Sequence, residues 1–365
     1  MNPYNFVRIN WQAGVTRQKP HSHDRFEGVS GRIEGEIKTL TPLFIPKSKG
    51  QPGNLAREFI TNGQRQTIIP GTTLKGLMRG LVETIGAGCW WLRGKSHQHQ
   101  LPAPFHQCEN KNNLCIACRM FGLIKGGTLL LGHVGFEDAI CLQPKPHEAI
   151  YTIILSGPKD RHTAFYLDPS QRQLAGRKFY YHSPTIRTAR SWLPTHNVSA
   201  DRRQNQYIKP IGAESIFTFS AHFNNLTSAE LQLLLYALVL EPTMRHKIGQ
   251  AKPAGLGSVE ISLTQLELID YSQRYRLPSG GKMVYTGDSL KTYLTTQTQP
   301  YTSNQTSNTL NDLRSIWAWP GRDDLSYPTQ DWFKKNPQAR IDLSIPSNQI
   351  DWINEVVNID LEKKN

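Results

Sequence analysis

The sequence predicts an α+β fold in which an antiparallel sheet carries helices on one face. Three patterns predict it. A strand is predicted over residues 31–45, because uncharged residues alternate with charged ones over residues 31–39, as is typical of a half-solvated strand. Apolar residues repeat with helical spacing over residues 72–85. A capping box precedes a second apolar helix near residue 229.

The first strand and the first helix follow from local signals. In the strand, Ile33 and Ile37 alternate with charged neighbours, and Pro42 ends it. A basic loop follows to about residue 63. Thr72 is a suitable N-cap for the helix, which is expected to end near residues 86–88. The apolar stripe of this helix consists of Leu74, Leu77, Met78, Leu81, Val82 and Ile85.

The remaining elements complete the predicted core. Thr227 and Glu230 form the capping box of a helix over residues 229–240. The order of elements is that of a ferredoxin-like (RRM-like) antiparallel sheet with insertions, and it defines a domain of residues 1–270. Further strands are expected near residues 128–136, 149–155, 216–223 and 258–263.

A C-terminal extension of residues 271–365 follows the predicted domain. Residues 295–312 are rich in Thr, Gln, Asn and Ser, and they are expected to form a loose linker. Large aromatic side chains beyond it make the extension a candidate docking segment for a partner protein. These side chains are Trp317, Trp319, Trp332 and Trp352.

The balance of charge favours a polyanionic partner. The 365 residues include 42 Lys and Arg against 29 Asp and Glu, a formal net charge of +13. Nucleic acid is the expected partner, because the sequence shows neither a long apolar stretch nor a signal peptide, and no membrane role is predicted. A cytoplasmic protein is therefore expected. Residues 158–210 hold ten basic and three acidic residues among seven aromatics, and we expect them to project as an insertion.

Three of the five cysteines predict a zinc-binding insertion at about residues 89–122. Cys108, Cys115 and Cys118 offer three thiols within eleven residues, and the C-x2-C spacing suits a tetrahedral metal. His106 is the predicted fourth ligand. Four protein ligands would make the site structural, because no position is left for an activated water. Alternative fourth ligands are Cys89, His97 and His99.

A Gly-rich turn joins the second helix to the last predicted strand. Residues 249–257 contain three glycines and Lys252, so the backbone could approach a phosphate while the lysine supplies charge. The spacing matches neither a P-loop nor a dinucleotide-binding pattern. The alternative interpretation is a plain helix-to-strand connection.

Five short motifs follow one another along the chain. They are TPLFI at residues 41–45, PGTTLKG at 70–76, CIACRMFG at 115–122, GHVGFEDA at 132–139 and GQAKPAGLG at 249–257. In this order they resemble the RAMP superfamily of CRISPR-associated proteins, most closely the backbone subunits of type III effector complexes. The resemblance spans about residues 29–265, and the tail matches no pattern.

The resemblance implies that residues 1–270 form a palm that holds a guide RNA (crRNA) and its target RNA beside neighbouring effector subunits. Residues 158–210 would hold a thumb that separates segments of the duplex. The RNA contacts that it implies are Lys47, Lys49, Thr72, Thr73, Lys75, Arg79, Arg177, Lys178, Arg187, Arg190, Gly249, Lys252, Gly255 and Gly257.

The loop after the first strand bears on catalysis. Members that cut the target carry an aspartate there, whereas residues 44–53 of this chain contain no carboxylate and the next one is Glu58. A non-catalytic subunit is therefore expected, with Asp24 and His23 as weak catalytic candidates. The alternatives are a metal-dependent target-RNA endonuclease and a guide-processing endonuclease in which His21, His23 or His133 is the base. A third alternative is a scaffold protein that acts through its C-terminal extension, residues 271–365.

Overall fold

The structure is a computed structural model of the 365-residue chain. It describes residues 2–47, 56–91, 101–125, 127–153, 155, 166–167, 173–189, 206–325 and 356–360. None of the helices in these residues is both long and apolar enough to cross a bilayer.

Strands dominate the described residues. In chain order they are β1 (Tyr4–Val7), β2 (Arg17–Gln18), β3 (Val29–Thr39), β4 (Thr67–Ile69), β5 (Leu114–Cys115), β6 (Gly122–Lys125), β7 (Thr128–Leu131), β8 (Val134–Phe136), β9 (Ala139–Cys141), β10 (Ile150–Thr152), β11 (Arg177–Tyr180), β12 (Thr185–Ala189), β13 (Tyr207–Ile208), β14 (Ile216–Leu226), β15 (His246–Lys247), β16 (Ser258–Ile269), β17 (Lys282–Thr286) and β18 (Val356–Asp360). The helices are α1 (Gly71–Ile85), α2 (Ile116–Phe121), α3 (Ser228–Val239), α4 (Gly287–Thr302) and α5 (Asn308–Ile316).

The main sheet is antiparallel around the long strand β3. Its strands follow the order β15-β16-β3-β14-β9-β4, and β17 and β8 pair with β16 and β14. Thr39 at one end of β3 faces Val259, and Ser30 at the other end faces Ile269. The prediction of an α+β fold with an antiparallel sheet is confirmed. Smaller sheets combine β1 with β11, β2 with β5, β6 with β7, and β10 with β12, β13 and β18.

Two helices cover one face of this sheet. Ile33 and Ile37 of β3 are fully buried, as their alternation predicts, and α1 buries its apolar stripe. The predicted capping box of α3 is present, because Glu230 N donates to Thr227 Oγ1 and Thr227 N donates to Glu230 Oε2. Helix α3 is buried almost all round, since α1 and α4 both pack against it.

The start of α1 differs from its prediction. The helix begins at Gly71, and its N-cap is Pro70 without a side-chain cap. Thr72 is exposed. The carboxylate that satisfies the first helical amide comes from the connection between β8 and β9, because Gly71 N donates to Asp138 Oδ1 at 2.8 Å. A carboxylate is favourable at a helix N-terminus, so this remote cap replaces the local one.

The predicted loose linker at residues 295–312 is wrong. Helices α4 and α5 occupy this segment, and their contacts with the main domain explain why a polar sequence is helical there. Arg314 of α5 pairs with Glu241 at 2.9 Å and donates to the carbonyl of Tyr301 at the end of α4. Trp317 is buried against Phe179 rather than displayed to a partner. Trp332 and Trp352 lie outside the described residues.

The insertion at residues 158–210 is also packed where it is described. Strand β11 pairs with β1, and β12 lies between β10 and β18. Tyr181 and Ile186 are buried. The expectation that this interval projects is therefore wrong for residues 173–189, while residues 190–205 lie outside the described part of the chain.

Candidate metal centre and nucleic-acid interface

Four buried cysteines come together beyond the carboxyl end of α1. The Sγ atoms of Cys89, Cys108, Cys115 and Cys118 all lie within 4.8 Å of one another. The sulfurs of Cys89 and Cys118 are 3.6 Å apart, and no disulfide joins any of the four thiols. A group of four sulfur donors at this spacing could hold one metal ion. We call these four residues the thiol cluster.

Helix α2 builds half of the thiol cluster. Cys115 is its N-cap residue, and the Cys115 Sγ accepts a hydrogen bond from Cys118 N at 3.5 Å. The Cys108 Sγ accepts one from Cys115 N at 3.3 Å. Cys89 follows the turn that ends α1. Backbone N–H groups directed at sulfur favour the thiolate, so the first turn of α2 prepares these side chains to ligate a cation.

The thiols perturb one another strongly. Hydrogen bonds from Cys115, Cys118 and Cys89 lower the pKa of the Cys108 thiol. The same hydrogen bonds raise the pKa of Cys89 and Cys118, because these groups act as the donors and keep their protons. Four thiolates at such distances repel one another. Ionisation of all four therefore requires a cation between them.

The fourth member of the thiol cluster corrects the prediction of His106. The His106 Nε2 is hydrogen-bonded to the Leu101 carbonyl oxygen at 3.0 Å. This nitrogen is therefore bonded within the segment of residues 101–106 and not to the cluster. Cys89 takes the fourth place although it is 19 residues before Cys108. The sequence identified it only as an alternative, because nearness along the chain favoured the histidine. His97 and His99 lie outside the described residues.

The Gly-rich turn of residues 249–257 is folded against the protein's own backbone. Gly255 has φ +96°, and a Cβ there would lie 2.4 Å from the carbonyl oxygen of Thr185 in β12. At Gly257, with φ +83°, a Cβ would lie 1.9 Å from the carbonyl oxygen of Ile248. Both positions need glycine because another segment of backbone passes close by.

Lys252 contributes to the internal bonding of this turn. Its Nζ donates to the carbonyl oxygen of Gly249 at 2.7 Å, and burial lowers its pKa. Gly257 N donates to the carbonyl oxygen of Pro42 at 2.9 Å, which fixes the turn to the segment that leaves β3. The plain-connection interpretation of the turn is thus supported by geometry. This bond uses one of the three N–H donors of the half-buried Lys252 amine, so it supports the turn without excluding a phosphate.

A buried lysine lies beneath the turn. The Lys247 Nζ donates to Ser258 Oγ at 3.0 Å and to the carbonyl oxygen of Gly255 at 3.3 Å. His182 Nδ1 is hydrogen-bonded to the same Ser258 oxygen at 2.8 Å. Burial, with a smaller effect of the Lys252 charge, lowers the pKa of Lys247 to about 7. Nothing in the local sequence distinguishes this lysine from an exposed one, and the sequence did not identify it.

Some of the predicted RNA contacts are accessible. Lys47 and Thr72 are exposed, whereas Thr73 and Lys75 are half-buried in the first turns of α1. Burial and the charge of Arg79 lower the pKa of Lys75. Within the described residues neither lysine forms an ion pair, so both amines are available to a phosphate.

Other predicted contacts are used by the protein itself. Arg79 and Arg177 pair with Glu83 beside the thiol cluster, at 2.8 and 3.1 Å. Arg187 is buried, and it donates to the carbonyl oxygen of Asp323 at 2.6 Å. These three guanidinium groups are therefore engaged within the protein, although Arg79 lies one turn after Lys75 on α1 and its charge acts on that lysine.

Three more predicted contacts complete the set. The Lys178 side chain is exposed, and its amine lies 3.6 Å from the centre of the Tyr4 ring. The same amine lies 4.9 Å from the centre of the Tyr180 ring, and burial lowers its pKa to about 8. Lys49 and Arg190 lie outside the described residues.

Comparison with known proteins identifies the protein family to which the chain belongs. The family model of the RAMP superfamily matches residues 36–260, which is more than half of the chain. The chain belongs to the RAMP superfamily. The match runs from β3 to β16 and includes the thiol cluster and the Gly-rich turn.

One solved structure similar to this RAMP protein is that of a Csm3–Csm4 subcomplex in the type III-A CRISPR–Cas interference complex. The two are 16% identical with a TM-score of 0.36, and the similarity covers 74% of this chain and 96% of that chain. No curated protein matches this RAMP protein.

The two weak catalytic candidates of this RAMP protein lie away from the loop after β3. Asp24 and His23 precede Val29, the first residue of the strand, whereas the loop follows its last residue. Eleven residues of strand separate these ends by about 33 Å. The imidazoles of His21, His23 and His133 are each hydrogen-bonded to a backbone carbonyl.

Proposed function

We propose that this RAMP protein is a guide-RNA (crRNA) binding backbone subunit of a type III CRISPR effector ribonucleoprotein. In this role it holds the guide and its target RNA together with neighbouring effector subunits and does not cut either strand. The observation that carries the proposal is the RAMP match over residues 36–260, because it includes the core sheet, both helices that cover it and both insertions.

The order of strands supports a ferredoxin-like palm. The elements β3, α1, β8 with β9, β14, α3 and β16 follow one another along the chain as strand, helix, two strands, a further strand, helix and strand. In the sheet, β16 and β14 flank β3, and β8 and β9 lie beyond β14. RRM domains bind single-stranded RNA on a sheet of this kind.

The accessible cations define the RNA contacts that we propose. Lys47 lies in the segment that follows β3, eight residues after the strand ends at Thr39. Thr72, Thr73 and Lys75 lie at the start of α1. The Asp138 carboxylate already caps the first amide of α1, so the attraction for phosphate comes from the two lysine amines, which add charge without the cost of breaking an ion pair. Lys178 beside Tyr4 is a further contact, in which charge and an aromatic face suit an unpaired nucleotide.

Zinc is the ion that we propose for the thiol cluster. Zn–S bonds of about 2.3 Å in a tetrahedron place sulfurs about 3.8 Å apart. The 3.6 Å between the sulfurs of Cys89 and Cys118 fits this spacing. Four protein sulfurs complete the coordination of zinc, so the ion would stabilise the insertion and activate no water.

The absence of a carboxylate from residues 44–53 supports the non-catalytic role. A divalent cation that positions a ribose hydroxyl needs oxygen ligands, and lysines in the same loop repel it. The remote position of Asp24 leaves that loop without a substitute from the N-terminal segment.

RNA binding at increasing salt tests the function. The purified protein is expected to bind guide-length RNA, with the logarithm of the affinity falling linearly with the logarithm of salt concentration. Replacing Lys47 and Lys75 by Ala should reduce the magnitude of this slope by about 1.4, since each lost contact with a single strand contributes about 0.7. Fluorescence anisotropy over a salt series measures both values.

The control for this test is Lys291→Ala, which removes an exposed lysine of α4 outside the family match. It should leave the slope unchanged. An equal slope for the double variant and the wild type would contradict the proposed contacts. Site-specific cutting of a guide–target duplex in magnesium would contradict the non-catalytic role and favour the endonuclease.

A further inference from the structure

The carboxylate of Glu83 lies between two guanidinium groups at the end of α1. Arg79 Nε lies 2.8 Å from Glu83 Oε1, and Arg177 Nη1 lies 3.1 Å from Glu83 Oε2. All three side chains are less than a quarter exposed. Two buried positive charges thus share one negative charge, which leaves one positive charge for another partner.

That partner is the thiol cluster. Arg79 Nη2 donates to Cys118 Sγ at 3.4 Å, and Arg79 Nη1 donates to the carbonyl oxygen of Gly122 at 2.9 Å. Arg177 Nη2 donates to the carbonyl oxygen of Cys89 at 2.8 Å. One arginine therefore contacts a ligand sulfur directly, and the other contacts the backbone of a second ligand.

The charges of the two groups are complementary. Four thiolates around one Zn²⁺ carry a net charge of −2, and the two arginines with Glu83 carry +1. A buried charge without a partner is unfavourable, and an N–H donor to a ligand sulfur favours its ionised form. The arginines are therefore placed where a metal-loaded cluster needs positive charge.

Arg177 also joins the thiol cluster to the strand on which it lies. It is the first residue of β11, which pairs with β1 through Val7. Its contact with the Cys89 carbonyl is made by a residue of the second insertion to a residue of the first. This contact links the backbone of one cluster residue to β11 and, through its strand pairing, to β1.

We infer that Arg79 and Arg177, oriented by Glu83, form an outer shell that stabilises the metal-loaded thiol cluster and fastens β11 to α1. The inference rests on the zinc site proposed above. It assigns both arginines a positioning role at the metal in place of the RNA contact that the sequence implies.

Zinc affinity and hydrogen exchange test this role. Arg79→Gln and Arg177→Gln should each weaken Zn²⁺ binding by about 10–100-fold, as the loss of outer-shell partners usually does. Competition with a chromophoric chelator measures the affinity. Removing zinc from the wild type should accelerate amide exchange in β11 and β1, and Arg177→Gln should do so with zinc bound.

The matched control is Arg314→Gln. Arg314 is as buried as Arg177 and pairs with the equally buried Glu241, but this pair ties α5 to the end of α3. This variant should lose stability and keep its zinc affinity within about twofold. If Arg79→Gln folds poorly, Arg79→Lys and the sulfur-to-cobalt absorption of the Co²⁺ form give the same readout, since one amine cannot replace all three donors.

Two outcomes would overturn the inference, and they are distinguishable. A wild-type protein that binds no zinc under reducing conditions rejects the metal site itself. A wild type that binds zinc, with both arginine variants binding it as tightly as Arg314→Gln, rejects only the outer-shell role.

Discussion

Four cations that the family resemblance assigns to RNA are held by the protein's own groups. Arg79 and Arg177 contact Glu83, Arg187 contacts a backbone carbonyl, and Lys252 contacts the carbonyl of Gly249. Glu83 lies one helical turn after Arg79, but the other partners come from distant segments or from the reverse side of a turn. A count of charges along the sequence cannot show such pairing, because the sequence gives no distances between segments.

The thiol cluster shows how far residue-level prediction extends. The C-x2-C spacing fixed two ligands through one helical turn, and Cys108 followed from its nearness to them. The fourth ligand depends on how the chain returns after α1, which no local spacing encodes. His106 was therefore predicted in place of Cys89.

Lys247 gives a prediction about pH. Burial lowers its pKa from 10.5 to about 7 in the folded protein. Between about pH 7 and 10 the unfolded chain then binds more protons than the native one, so the free energy of unfolding rises with pH in this window. The contribution of Lys247 is at most about 1.4 kcal/mol per pH unit. Lys247→Met should remove it, as urea unfolding at pH 7, 8 and 9 measures.

The exposed Lys291 provides the comparison. Lys291→Met should give a stability profile parallel to that of the wild type. If the profile of Lys247→Met is also parallel, the Lys247 amine has an ordinary pKa in the folded state.

At the scale of elements, the signals that the sequence predicted correctly are strictly local. The alternation in β3 and the capping box of α3 each involve residues that are close in sequence. Both features are present in the structure as predicted. Helices α4 and α5 were missed because their sequence is polar and α4 contains Pro300. Their helical state depends on packing against β17, α3 and β1, which a sequence window does not contain.

The Gly-rich turn is the element whose conformation is easiest to test. Gly255→Ala should destabilise the protein by about 2 kcal/mol, because φ is +96° and the added Cβ would meet the Thr185 carbonyl at 2.4 Å. Chemical unfolding monitored by circular dichroism measures this loss.

A glycine of α1 serves as the control for that substitution. A Cβ at Gly80 would meet nothing within 4 Å, so Gly80→Ala should stabilise the protein by up to about 1 kcal/mol. A Gly255→Ala variant as stable as the wild type would mean that the turn does not pack against β12.

At the scale of the whole molecule, insertions and extension are fastened to one core. The thiol cluster is joined to α1 through Arg79, β12 approaches the turn at Gly255, and Trp317 packs on Phe179 of β11. The sheet and the superfamily were predictable from five ordered motifs. The contacts that join the insertions and the extension to the core could not be predicted, because each depends on segments that are far apart in sequence.

Crosslinking of a guide RNA to the protein tests the central claim most directly. A guide-length RNA with photoreactive uridines, analysed by mass spectrometry, should crosslink to peptides that contain Lys47 and the start of α1. The same peptides should lose their crosslinks at high salt. Crosslinks confined to α4 and α5, or none at any salt, would contradict the claim that this RAMP protein holds RNA on its palm.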